Sequence, residues 1–130
     1  MRISRVLQIV IAGMILIFSS GNIVAQEKNQ MVRMAKLRID PAQLENYKAA
    51  LKEEIETSLR VEPGVLILFA VTEKDNPAHI TILEIYANQE AYKSHEQTPH
   101  FLKYKTITKD MVKSLELVDA VPLVPGMKIK

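Results

Sequence analysis

The chain has 130 residues, about one domain's worth, with 17 basic residues, 15 acidic ones and no cysteine. The lack of cysteine excludes disulfides, a thiolate nucleophile and thiolate metal ligands. The net charge of +2 comes from Arg2 and Arg5; beyond residue 25 basic and acidic residues balance, so nothing points to nucleic acid or an anionic membrane as a partner.

Residues 1–25 have the three parts of a secretory signal peptide. Arg2 and Arg5 form the positive end, Val6 to Phe18 is apolar apart from Gln8 and Gly13, and a polar stretch leads to Ile23-Val24-Ala25. We expect cleavage after Ala25 and a periplasmic product without a stable membrane anchor; retention as an N-terminal anchor is the alternative. Residues 26–30 read as a polar linker, 31–123 as the domain and 124–130 as an irregular tail.

Met31 to Ile39 alternates as a strand, with Arg33, Ala35, Leu37 and Ile39 on one face. Asp40-Pro41-Ala42-Gln43 has the pattern of a helix start, with a capping box between Asp40 and Gln43. Leu44, Tyr47, Leu51 and Ile55 then recur at helical spacing as a buried stripe. Pro63-Gly64 ends the helical region. Val65 to Val71 is apolar on both faces, as expected of a strand covered on both sides, and Phe69 reads as core. Lys74 to Pro77 is a turn. In the next strand, His79 to Ala87, Ile80, Ile82, Glu84 and Tyr86 share a face. Asn88 caps a helix; Thr98 caps another with Pro99 at its first position, and Phe101, Leu102, Ile107 and Met111 supply its apolar contacts. Leu115 to Leu123 reads as the last strand.

This order is βαββαβ, a ferredoxin-like α+β arrangement with helices on one face of an antiparallel sheet. The bare face is too apolar to remain wet, so a homodimer packed sheet against sheet is expected.

No GxGxxG, P-loop or GxSxG is present, and beyond residue 25 the only glycines are Gly64 and Gly126, which leaves no phosphate-cradling loop. His79, His95 and His100 form no HExxH. His95 and His100 are five apart with Pro99 between them, a poor spacing for one metal on one helical face, even with Glu96 added. We therefore expect neither metal nor cofactor.

The segment Ile82 to Tyr104, ILEIYANQEAYKSHEQTPHFLKY, together with the opening strand, its capped helix and Glu62-Pro63-Gly64, resembles the antibiotic biosynthesis monooxygenases, a family that includes quinol monooxygenases. The resemblance runs from about Met31 to Val112. It implies a dimeric α+β barrel and oxidation of a quinol-like or polyphenolic aromatic by O2 without flavin or metal. The substrate, once deprotonated, is electron-rich enough to react with O2. The protein holds it, takes the proton and excludes water. Many relatives carry Trp where this chain has Tyr86. The haem-degrading branch has Asn, Trp and His at the positions of Ala35, Tyr86 and about Lys105; all three differ here, which argues against that activity.

The resemblance makes His95, Glu84 and Tyr86 the catalytic candidates, and Arg33, Tyr92, His100 and Phe101 the substrate-binding ones. Each has a plainer reading. His95, on the helical face of Tyr92, is either a general base or a core-edge histidine bonded to backbone. His100 stands in a first turn, where positive charge is disfavoured, so a capping or surface role competes with that of neutral acceptor. Glu84 is either paired with Arg33 across the sheet or a base with a raised pKa. Tyr86 reads first as a pocket wall. The alternative to an enzyme is a non-catalytic dimeric module that binds a small apolar ligand.

Overall fold

The computed structural model describes residues 29–124. The signal peptide with its cleavage point, most of the linker, and the tail past residue 124 lie outside the described residues. The elements are β1 (Met31–Ile39), a short 3-10 turn (Pro41–Gln43), α1 (Leu44–Val61), β2 (Val65–Thr72), β3 (His79–Tyr86), α2 (Gln89–His95), α3 (Pro99–Thr108) and β4 (Val112–Ala120). The strands pair antiparallel in the order β2-β3-β1-β4. This is the ferredoxin-like α+β fold, with β1 and β3 at its centre. No described helix is long and apolar enough to cross a membrane.

Alternation along β1 and β3 builds the core. Ala35, Leu37, Ile39, Ile80 and Ile82 point to the helices and close on Tyr47 and Leu51 of α1. A second cluster, Val65, Leu68 and Tyr86, packs against Ile55, Ala91 and Tyr92. The caps at Asn88 and Thr98 form: Asn88 Oδ1 accepts from the Ala91 amide at 2.8 Å, and Thr98 Oγ1 from the Phe101 amide at 3.3 Å. The expected capping box does not. Asp40 Oδ1 accepts from the Ala42 amide at 3.0 Å, but the Asp40 amide donates to the Met111 carbonyl at 2.8 Å. Gln43 instead accepts from Asn46. The chain entering β4 has taken the donor that the box needed.

Three further expectations are corrected. The last strand starts and ends three residues earlier than Leu115–Leu123, because its pairing begins at Val112 opposite Ile39. Phe69 is not core: it is 63% exposed. The register shifts between Val65 and Ile67, so Leu68 faces the helices while Ile67, Phe69 and Val71 take the outer face. Leu102 (53%) and Ile107 (44%) are exposed; the inward positions of α3 are Phe101, Tyr104 and Thr108.

Gly64 fixes how close α2 lies to the sheet. A Cβ built there stands 2.6 Å from the Ala91 Cβ, and the Gly64 carbonyl accepts from the Ala87 amide at 2.8 Å. Gly64→Ala should therefore displace α2, costing about 1–3 kcal/mol by overpacking. Denaturant titration would show it as a lower midpoint at unchanged slope. Wild-type stability in this variant would mean that the Gly64–Ala91 approach does not constrain α2.

Candidate active site

A pocket of about 480 Å³ lies between the helices and the sheet. Ala35, Leu37, Leu68 and Ile82 form its apolar floor; Tyr86, Tyr92, Phe101 and Tyr104 are aromatic walls. Leu115 and Leu117 of β4 line its open side, 44% and 50% exposed. Its polar groups come from distinct elements: Arg33 from β1, Glu84 from β3, Glu54 from α1, His95 and Glu96 from the end of α2, and Lys105, Thr108, Lys109, Lys113 and Ser114 from α3 to the start of β4. A largely apolar cavity with a few convergent polar groups is the usual form of a small-molecule site.

Glu84 and Arg33 are register partners across β3 and β1, yet they do not form the expected pair. Arg33 donates through Nε to Asp119 Oδ1 of β4 at 2.8 Å, and its guanidinium lies 4.6 Å from the centre of the Tyr92 ring, a cation–π distance. Glu84 instead accepts a hydrogen bond from the Tyr86 hydroxyl at 3.0 Å. Burial raises the Glu84 pKa, against the lowering effect of that hydrogen bond and of the nearby His95 and Arg33. Burial and the Glu84 charge push the Tyr86 phenol upward. The result is a neutral phenol donating to a carboxylate whose charge is only partly compensated.

Tyr86 is buried, with Tyr92 edge-on at 5.2 Å and His95 at 5.4 Å between ring centres. Phe101 packs 4.8 Å from His95. Tyr104, which the sequence reading left out, lines the pocket and shares a 2.6 Å hydroxyl contact with buried Tyr47. Burial lifts its phenol to about 12. Its only sequence signal is its position three residues after Phe101, on the same helical face.

His95 is not bonded to backbone through its ring. It is 2% exposed, and both ring nitrogens face carboxylates: Nδ1 lies 2.9 Å from Glu62 Oε2 and Nε2 lies 3.4 Å from Glu54 Oε1. His100 is neither a cap nor a surface residue, and it does not line the pocket. Its Nε2 is 2.6 Å from the same Glu62 oxygen, so it stands behind the pocket wall. Burial works to raise the Glu62 carboxyl, but hydrogen bonds from His100 and His95 outweigh it and the pKa is lowered. Glu54 is raised by burial, opposed by the Ser58 hydroxyl donating at 2.7 Å and by His95.

Sequence spacing argued against a shared ligand of the two histidines, even with Glu96 added. The fold brings Glu54 instead: one donor atom each from Glu54, His95 and His100 lie within 4.8 Å of one another. Glu62 belongs to the Glu62-Pro63-Gly64 piece of the family resemblance but had no role assigned to it, and Glu54 looks like one more solvated helix acid.

The sequence profile of the antibiotic biosynthesis monooxygenases matches residues 31–106. A provisionally named member of that family from Bacteroides thetaiotaomicron VPI-5482 is 62% identical, with 80% of this chain and 99% of the other covered and a TM-score of 0.79. A provisionally named monooxygenase from Lactobacillus acidophilus NCFM is 39% identical over 68% of this chain and 42% of its own, with a TM-score of 0.68. A protein from Nitrosomonas europaea is 22% identical over 75% of this chain and 93% of its own, with a TM-score of 0.69, and shows the shared fold. No curated protein matches the sequence. The profile match spans more than half of the chain, and the Bacteroides protein is similar over nearly its whole length: this chain belongs to the antibiotic biosynthesis monooxygenase family.

Proposed function

We propose that this chain is an exported monooxygenase that oxidises a quinol-like or polyphenolic aromatic with O2, with Glu84 as the proton acceptor. The observation that carries the reading is Glu84 itself: a half-buried carboxylate with a raised pKa, facing an aromatic-walled apolar pocket and held by one phenol. His95 is less suited to the role, because carboxylates face both of its nitrogens; it positions the wall that Tyr86 and Phe101 share with it.

The chemistry balances without an added reductant. Deprotonation of a phenolic hydroxyl by Glu84 leaves an electron-rich ring that gives one electron to O2. The two radicals join at a ring carbon, and the resulting hydroperoxide loses water to leave a new carbonyl. One oxygen atom enters the ring and the other leaves as water, carrying the phenolic and ring hydrogens; the substrate supplies every electron. The protein contributes proton transfer, alignment and a dry cavity. Arg33 beside Tyr92 offers a positive edge for a second substrate oxygen.

Oxygen uptake by the purified protein with a panel of hydroquinones tests this reading. Turnover with formation of the hydroxyquinone is expected. Tight binding of the same aromatics with no oxygen uptake would leave a ligand-binding module instead.

The active form is proposed to be a homodimer through the outer sheet face. Phe69, Val71 and Leu66 are exposed large apolar side chains on β2, more than an isolated small domain usually leaves in water. Phe69→Asp should turn a sedimenting dimer into a monomer at micromolar concentration. A wild-type protein that sediments as a monomer would remove the proposal.

A further inference from the structure

The pocket carries its charges sorted along its length. Its carboxylates gather at one end: Glu84 bonds to Tyr86, Glu54 faces His95, and Glu96 stands beside Tyr92. Arg33 lies among them, opposite Glu84 in the register and tied to Asp119. The lysines that line the pocket are all at the other end. Lys105 is in the last turn of α3, Lys109 just past it and Lys113 at the start of β4. Among the described residues no carboxylate lines the pocket there; Asp110 lies between two of these lysines in sequence but is not part of the lining.

Strand β4 measures the distance between the two ends. By alternation its helix-facing row is Asp119, Leu117, Leu115 and Lys113, and the first three pair with Arg33, Ala35 and Leu37 of β1. From Asp119 to Lys113 the row runs about 20 Å at the rise of a strand. Leu117 and Leu115 fill the interval with apolar surface. Lys105 and Lys109 stand one turn apart on a single flank of α3 and line the pocket together with this row.

These lysines have charge to offer. Lys105 and Lys109 are exposed, and neither has a carboxylate at ion-pair distance among the described residues. Lys103, on a neighbouring flank, is held by Glu53 at 2.6 Å. Lys113 is held loosely, 3.7 Å from Asp40, with its side chain 64% exposed. Lysines at a helix C-terminus offset its dipole. That accounts for Lys105 and Lys109 but not for Lys113, which a different element supplies to the same rim.

We propose that the pocket takes an aromatic acid: a hydroxylated ring at Glu84, an apolar body across Leu117 and Leu115, and a carboxylate at the far end held by Lys105, Lys109 and Lys113. The proposal rests on the quinol-type reading of the site and gives that substrate its second end. The sorting of charge fixes the direction of binding. An acid bound the other way round would set its charge against Glu54, Glu84 and Glu96, and juxtaposed like charges are costly. Lysine is a point charge on a flexible stem, so the three accept an anion over a range of distances rather than at one length. Their contact is remote from the reacting ring and is the same in ground state and transition state. It should lower KM and leave kcat alone.

Calorimetry with a hydroxybiphenyl carboxylic acid, its hydroxyl and carboxyl at opposite ends, and with its methyl ester tests this. The titration is run without O2, so it reads binding apart from turnover. At low salt the acid should bind roughly 10- to 100-fold more tightly than the ester, and the gap should narrow as salt screens the lysines. Replacing Lys105, Lys109 and Lys113 together by glutamine should bring the acid to the affinity of the ester and leave the ester unchanged. Lys103→Gln should change neither. Equal affinities in wild type, or no binding of either compound, would overturn the proposal. A preference that survives in the triple variant would put the carboxylate at Arg33 and overturn it equally; a lower melting temperature in that variant would then assign the lysines to the dipole of α3. If the preference is present but hydroquinones cause no oxygen uptake, the oxidation chemistry falls and the acid-binding pocket stands.

Discussion

Glu84→Gln is expected to lower turnover of a quinol substrate by roughly 100- to 10,000-fold, the usual worth of a positioned general base, while leaving substrate affinity within a few fold. The amide keeps the volume of the carboxylate and still accepts from the Tyr86 hydroxyl, so the pocket wall is unchanged and only proton transfer is lost. A matching loss in kcat and kcat/KM is the signature of an interaction made in the transition state. In wild type, activity should fall as pH drops through a value above the ordinary carboxylate range, because burial raises Glu84 and only its charged form accepts a proton. Tyr86→Phe removes the hydroxyl that steadies that charge and should move this limb to still higher pH. The same raised pKa predicts the opposite sign for stability. The folded state holds the Glu84 proton more tightly than the unfolded chain does. Its stabilising contribution is therefore complete below the ordinary carboxylate pKa and is lost as pH rises through the raised folded value. Glu84→Gln should thus melt higher than wild type near neutral pH and the same as wild type in acid. Full turnover in Glu84→Gln would remove Glu84 as the base, and His95→Ala would then be the variant to follow.

Glu62→Ala is expected to be the most destabilising single change near the site, by about 2–4 kcal/mol. One oxygen of this side chain serves two imidazoles. Truncation leaves two buried N–H groups without an acceptor and Glu54 as the sole carboxylate beside His95. In a domain of this size each kcal/mol is worth roughly 4–8 °C in melting temperature, so calorimetry resolves the effect easily. Glu62→Gln, whose amide oxygen can still accept from both rings but carries no charge, should fall between. If Glu62→Ala melted like wild type, the histidine–carboxylate cluster would contribute nothing to holding α2 and α3 against α1.

The contrast between these two residues shows what a single sequence can carry. Glu84 was legible in part: alternation in β3 put it on one face with Tyr86, whose hydroxyl is bonded to it, but did not say that this face meets the helices. Glu62 was visible only as the first residue of the Glu62-Pro63-Gly64 piece of the family resemblance, with no role attached. Its meaning lies in side chains 33 and 38 residues further on, and no local pattern encodes a convergence of three elements. Arg33 failed in a related way. Its register opposite Glu84 was inferable, but the choice of Asp119 on the other flank required knowing that β4 lies against β1. Strand β1 was read with its observed bounds because its alternation is clean. Strand β4 was read three residues late because Val112-Lys113-Ser114 look like loop, and only pairing with β1 makes them strand. Phe69 was misread because a continuously apolar strand does not reveal which alternate set faces inward, least of all with a register shift near its start.

The helices cover β1 and β3 more fully than β4, so Leu115 and Leu117 form a greasy sill rather than a wall. If Glu84 takes the proton as proposed, an aromatic whose reacting ring lies against it can extend its remaining rings across that sill. Rings added at that end touch nothing that changes during the reaction, so they tighten ground state and transition state alike. The enzyme would then select its substrates by the pattern of oxygens on one terminal ring and tolerate wide variation in the length of the rest, as a lock that reads only the tip of the key.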